Sequence, residues 1–291
     1  MMADALTSSL AGGLVASTTE GAFNAGELIL HHVSDFGFGS WPLFLSKASA
    51  LMALAALLVV FGMRRAVAGY DERGVPRSRW AQMVDPFVEH FYREVALKYS
   101  GEKWAKKVAP LLLNFFFFIL TCNLLGLLPL GETASFVSYL AGVNAPPIVH
   151  GLATATGSFL VTGTLATITF FAIIIFGVAQ NGLIGYFSHL APKGTPFPVR
   201  WFLLLPIETL SMFVKPFALT MRLAANMTAG HMGLLALISI IFIIKSSLVG
   251  IPVSLLAVGM LLLEIIVCFV QAYVFALLSG IFIGMALHPH H

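Results

Sequence analysis

Four polar side chains recur at regular intervals in a stretch that otherwise avoids them. Glu208, Lys215 and Arg222 are spaced by seven, and Asn226 follows Arg222 by four. On a helix these positions share one stripe, each at a different depth. The run from Phe202 to Lys245 around them is otherwise apolar. As helix it would be roughly 65 Å long, about twice the thickness of membrane hydrocarbon. A charge at the bilayer centre costs roughly 2.5–3.5 kcal/mol, so ionisable residues there face a partner or a wet cavity. A stripe with members at four depths suits a path for an ion. For Glu208 and Lys215, a structural ion-paired stripe or snorkelling to the interface is an equally good account. Arg222 sits about twenty residues from either end of its apolar run, too deep to snorkel easily.

Glu264 and Gln271 form a second pair seven apart, on one face of the last apolar stretch. Glu264 is the only formal charge between Ser246 and His291. It needs a partner, and by depth the nearest is His231, which lies past Arg222 on the preceding element. Imidazole beside a carboxylate is a proton-handling pair; a buried structural hydrogen bond is the alternative reading. Counted by depth, Gln271 falls near Arg222, where its amide could orient the guanidinium without adding charge. His31-His32 and His288-Pro289-His290-His291 have no carboxylate or Cys companions at ligand spacing, so no metal site is expected. The threonines Thr154, Thr156, Thr162, Thr164, Thr167 and Thr169 read as back-bonding or close-packing residues. Without a Walker A loop, GxSxG or HExxH there is no catalytic site and no cofactor to predict.

The elements that position these residues follow from composition. Only 10% of the 291 residues are charged and 58% are hydrophobic, with mean hydropathy +0.92. Such a chain cannot cover a surface in water, which excludes a disordered protein and a nucleic-acid reader and predicts an all-α polytopic membrane protein. Cys122 and Cys268 lie in apolar runs and imply no disulfide. The first 40 residues lack a basic n-region and read as an outer N-terminal segment of the mature chain rather than a signal. A first spanning helix is expected over 41–63, ending at Arg64-Arg65. Residues 64–107, with ten of the sixteen basic residues, form a polar segment. Within it Val84, Phe87, Val88, Phe91, Val95 and Tyr99 mark an amphipathic surface helix capped by Asp85-Pro86; packing on a soluble partner is the alternative. Val108–Leu130 and Gly151–Val178 carry no charge and make a helical hairpin over 108–178. A loop over 179–200 follows, then a long terminal hairpin over 201–287 that must be steeply tilted or broken to fit a membrane. Residues 64–107 and 179–200 hold twelve of the sixteen basic residues, against none in 1–46. The basic bias puts those segments in the cytoplasm, the N-terminus outside and the C-terminus inside.

At this point the run Ser211-Met-Phe-Val-Lys-Pro-Phe-Ala-Leu-Thr-Met-Arg-Leu-Ala-Ala-Asn-Met-Thr-Ala-Gly-His231 is recognisable. It closely resembles the central motif of subunit a of F-type ATP synthases, the stator part of the Fo membrane motor. His31-His32, Asn123-Leu-Leu-Gly-Leu-Leu-Pro129 and Gln271-Ala-Tyr-Val-Phe275 corroborate it, and the resemblance runs in order over essentially the whole chain. Gly131 to His150 matches poorly and is assigned no role.

The resemblance implies that Arg222 is the essential coupling arginine, with Asn226 and Gln271 as polar neighbours and Glu208 and Lys215 along a cytoplasmic half-channel. It also implies one spanning helix, one surface helix and four tilted helices, the last two curving around a ring of c-subunits. The other implied partners are the subunit b peripheral stalk, the remainder of the F1Fo complex and the lipid bilayer, in a bacterial inner (plasma) membrane. Many bacterial members carry Glu where this chain has His231 and His where it has Glu264, an exchange that keeps the pair and reverses its direction. In the implied mechanism each c-subunit carboxyl crosses lipid neutral, loses its proton beside Arg222, and is reloaded from an outer channel through His231 and Glu264. The membrane potential supplies about 2.3 kcal/mol per charge per 100 mV. A self-contained ion channel or secondary transporter, the rival reading, calls for an internal repeat, and no repeat is visible.

Overall fold

The computed structural model describes residues 47–127, 159–182, 205–244 and 247–288, together with 185 and 202. Every regular element among them is helical. In chain order these are α1 (Lys47–Val67), α2 (Arg79–His90), a π-helical turn (Phe91–Leu97), α3 (Lys98–Leu127), α4 (Phe159–Asn181), α5 (Leu205–Ile244) and α6 (Ser247–Leu287). Helices are what hydrocarbon permits, because each satisfies its own backbone donors and acceptors where no water can. Three stretches among the described residues are long and apolar enough to cross a membrane: Arg79–Leu127, Val161–Asn181 and Gly250–Leu287. The chain forms two compact units, one of residues 1–53, 122–158 and 225–268, the other of 54–121, 159–224 and 269–291.

Several boundaries differ from those read in the sequence. The first helix runs past Met63 to Val67 and takes in Arg64 and Arg65. The amphipathic helix does not begin at Asp85-Pro86. Its N-cap is Ser78, whose Oγ accepts the Ala81 N–H at 3.0 Å, and Pro86 lies inside the helix. Ser78 prevails because its extended backbone and side chain satisfy an end donor about two turns earlier. Nor does the helix stand apart. It continues through the π turn into α3, with the bend at Gly101 (φ 70°), a conformation that glycine alone adopts without penalty. The terminal hairpin is tilted or broken by expectation; α5 and α6 are 40 and 41 residues long and unbroken, despite Pro216 and Pro252. At 1.5 Å per residue each measures about 60 Å. The 131–150 connection and nearly all of the 179–200 loop lie outside the described residues.

Between α1 and α2, Tyr70 and Pro76 form an isolated bridge and Arg77 pairs with Asp71 at 2.8 Å. The Tyr70 hydroxyl donates to Asp85 at 2.7 Å; partial burial and that bond push the phenol up to about 12.

In the second unit, α2, the π turn and α3 grip the end of α6. Phe87, Phe91 and Phe116 cluster at centroid distances of 5.2–5.3 Å, joined by Tyr273 of α6 at 5.8 Å from Phe91. Further along, Gly280 and Gly284 allow backbone approach. A Cβ at Gly284 would stand 2.6 Å from the Tyr99 carbonyl oxygen, and one at Gly280 would stand 2.7 Å from the Val95 side chain. Lipid tails are as apolar as leucine, so membrane helices associate through contacts of this closeness rather than through the hydrophobic effect. Gly284 meets backbone, which cannot give way, whereas Gly280 meets movable side-chain ends. Accordingly, Gly284→Leu should abolish recovery of folded protein in mild detergent, while Gly280→Ala should cost only about 1–3 kcal/mol of stability. Size-exclusion profiles and thermal unfolding check both, and a well-behaved Gly284→Leu protein would contradict the contact.

Candidate functional site

α5 carries Glu208, Lys215, Arg222, Asn226 and His231 on one continuous helix. Its packed face is made by Leu219, Thr220, Leu223, Ala224 and Met227, all buried. Thr220 Oγ1 donates to the Pro216 carbonyl one turn back (3.2 Å) and reaches the Thr162 carbonyl of α4 (3.4 Å), fixing this face against its neighbour. The stripe flanks that face: Arg222 and Asn226 are exposed and Lys215 is half-buried. The Lys215 ammonium lies 5.8 Å from the Phe282 ring centroid, the distance of a cation–π contact. Arg222 forms no ion pair among the described residues. An apolar helix therefore presents a permanent charge outward, and a guanidinium cannot shed that charge by losing a proton. The backbones of Glu208 and His231 are helical, but both side chains lie outside the described residues.

On α6, Glu264 is 3% exposed, and neither carboxylate oxygen has a hydrogen-bond partner among the described residues. A buried carboxylate in that setting requires a proton, a cation or water. Its place is made by Gly230 of α5, where a Cβ would come within 2.9 Å of Glu264 Oε1 and 3.2 Å of Cδ. One turn further along α6, the Cys268 carbonyl accepts from Asn123 Nδ2 at 3.3 Å, a fully buried contact that anchors this stretch of α6 to α3. The structure thus brings Glu264 against the residue next to His231. Gln271 is half-buried on the same helix, and among the described residues no hydrogen bond joins it to Arg222.

Sequence reasoning missed two features of this region. Gly230 is one, and the pairing signal for it was a small residue beside His231 facing a lone acid. The other is His90, whose Nε2 lies 3.0 Å from the Tyr273 hydroxyl, two residues beyond Gln271. His90 is the one histidine between His32 and His150, which could have singled it out.

Described elements that are all helical, with three stretches long and apolar enough to span a bilayer, define a multi-pass membrane protein, and on α5 Arg222 and Asn226 are exposed. Comparison with known proteins specifies which. Residues 21–284 match the ATP synthase A chain family, and the chain belongs to that family. It is 36% identical to the ATP synthase subunit a of Chloroherpeton thalassium, with 89% of this chain and 72% of the relative covered. It is 38% identical to that of Myxococcus xanthus (87% and 77%) and 37% identical to ATP synthase subunit a 2 of Chlorobaculum tepidum (90% and 73%).

Proposed function

We propose that this chain is the proton-translocating stator subunit of the Fo motor, and that Arg222 separates two offset half-channels that deliver protons to, and collect them from, carboxylates on a ring of c-subunits. The observation that carries the reading is Arg222 itself, exposed on an apolar helix with no carboxylate partner among the described residues. Left against lipid, that charge would be prohibitively placed. A passing c-subunit carboxyl is a counter-charge supplied from outside the chain. Beside Arg222 the ionised form of that carboxyl is favoured, so its proton is released. The fixed guanidinium then blocks any direct passage between the two channels.

Glu208, Lys215 and Asn226 extend the stripe along α5 and are assigned to the cytoplasmic half-channel, with Gln271 orienting Arg222. Glu264 and His231 are assigned to the outer channel. Support for the latter is the carboxyl seated on Gly230, with neither oxygen hydrogen-bonded among the described residues, a group that an imidazole could serve as proton partner. The subunit has no catalytic site of its own and works with the c-ring, the subunit b stalk and the remainder of F1Fo in a bacterial plasma membrane. Segment 64–107 is cytoplasmic, the N-terminus is outside, and the chain crosses five times, with the last two helices strongly tilted to accommodate about 60 Å each.

Two measurements follow. Arg73 is exposed in the loop between α1 and α2. Arg73→Cys should react with an impermeant maleimide in inverted vesicles and stay unlabelled in intact cells, the native Cys122 and Cys268 being buried; labelling of intact cells would reverse the orientation. Glu264→Gln should leave assembly with the c-ring intact and slow ATP-driven proton pumping at least tenfold. The exchange His231→Glu with Glu264→His should restore more pumping than either single change, and strictly additive losses would mean that the two residues do not interact.

A further inference from the structure

The first turns of α3 beyond Gly101 hold a charged arrangement that the proton path does not use. Lys103, Lys106 and Lys107 are all exposed, and their spacing of three and four puts them on one face of the helix. Trp104, buried between them, donates its indole N–H to Gln180 Oε1 at 2.8 Å, and Lys103 Nζ donates to the same oxygen at 3.0 Å. Two ammonium groups crowd this one ring, with Lys103 Nζ 5.5 Å and Lys107 Nζ 4.9 Å from its centroid. Among the described residues no carboxylate pairs with Lys103, Lys106 or Lys107, nor with Lys98 one turn back; the acid of this turn, Glu102, is exposed and makes no ion pair. Gln180 offers a single neutral oxygen that already serves two donors. Like charges have thus been gathered around a rigid, hydrogen-bonded indole with no carboxylate among the described residues to offset them.

We infer that Lys103, Lys106 and Lys107, set around Trp104, are a seat for the phosphodiester headgroup of an anionic phospholipid. The height of the cluster selects a lipid over a soluble anion. Lys107 is followed directly by Val108, which opens a run without charge to Leu127 in a stretch long and apolar enough to cross the membrane. The ammonium groups therefore stand where headgroup phosphates lie, and Trp104 occupies the level at which indoles with one wet and one apolar edge collect. A phosphodiester brings one negative charge and several acceptor oxygens, enough to meet Lys103 and Lys107 together without the planar fork that arginine would supply. Because Gln180 is on α4, an occupied seat would also fasten the ends of α3 and α4 to the same lipid. This assignment is independent of the roles given to Arg222 and Glu264.

The test is native mass spectrometry of the full chain in detergent, titrated separately with dioleoyl phosphatidylglycerol, dioleoyl phosphatidylcholine and inorganic phosphate. The intact protein should bind phosphatidylglycerol at least tenfold more tightly than phosphatidylcholine. K103Q/K106Q/K107Q should lose that preference, whereas the charge-preserving K103R/K106R/K107R should keep it. Should the triple glutamine protein fail to fold, K106Q alone, which leaves the Gln180 hydrogen bonds and the two cation–π contacts with Trp104 in place, should reduce the preference by roughly fivefold. Equal binding of the two lipids, or an undiminished preference in the glutamine variants, would overturn the inference. Displacement of phosphatidylglycerol by millimolar inorganic phosphate would overturn it too, in favour of a soluble-anion site.

Discussion

In hydrocarbon a charge has few resting places: another charge, trapped water, or, for a carboxyl, a proton. That constraint organises this molecule. Most of the chain obeys it by omission, with long helices whose backbones bond internally and whose side chains are apolar. Where the constraint is broken, it is broken in two different ways. Arg222 is always charged and is turned outward on α5, away from the face that packs. Glu264 can be neutral and is turned inward on α6, with no hydrogen bond to either oxygen among the described residues. An outward permanent charge asks for a partner from outside; an inward titratable group asks for proton traffic.

The packing serves these two placements. Glycine is used where another element has to come close, at Gly230 beneath the Glu264 carboxyl and at Gly284 beneath the Tyr99 backbone. Side-chain to main-chain bonds then fix rotation about the helix axes. Thr220 reaches the α4 backbone, and Asn123 reaches the Cys268 carbonyl one turn from Glu264. Bonds of this kind contribute modestly to membrane-protein stability, about 0.6 kcal/mol each on average. Their value here is directional, since a helix of seven-residue stripes presents its charges correctly in only one rotation.

Much of this was legible in the sequence, for a physical reason: charge is so scarce in these apolar runs that each instance stands out. The stripe on α5, the lone acid on α6 and the excessive length of both helices are all of that kind. What escaped was set by tertiary contacts. Asp85-Pro86 has the composition of a helix start, but Ser78 caps the helix earlier and Pro86 is carried inside it. The π turn over Phe91–Leu97, which sets the side chains that meet Tyr273, Gly280 and α3, leaves no periodicity that single residues reveal. Gly230 and His90 acquire meaning only from what stands opposite them. The His231 side chain, half of the expected proton-handling pair, lies outside the described residues.

The central claim is that one permanent charge keeps two proton channels apart. It is tested most directly by acid quenching of a pH-sensitive dye in inverted vesicles carrying Arg222→Ala, once co-purification of the c-ring has established assembly. Loss of ATP-driven pumping together with a passive proton leak is the predicted result, because removing the guanidinium both abolishes coupling and opens a route between the channels. Arg222→Lys should also fail, since a point ammonium lacks the reach and delocalised geometry of the guanidinium and can lose its proton in an apolar site. Normal coupled pumping by an assembled Arg222→Ala complex would contradict the account.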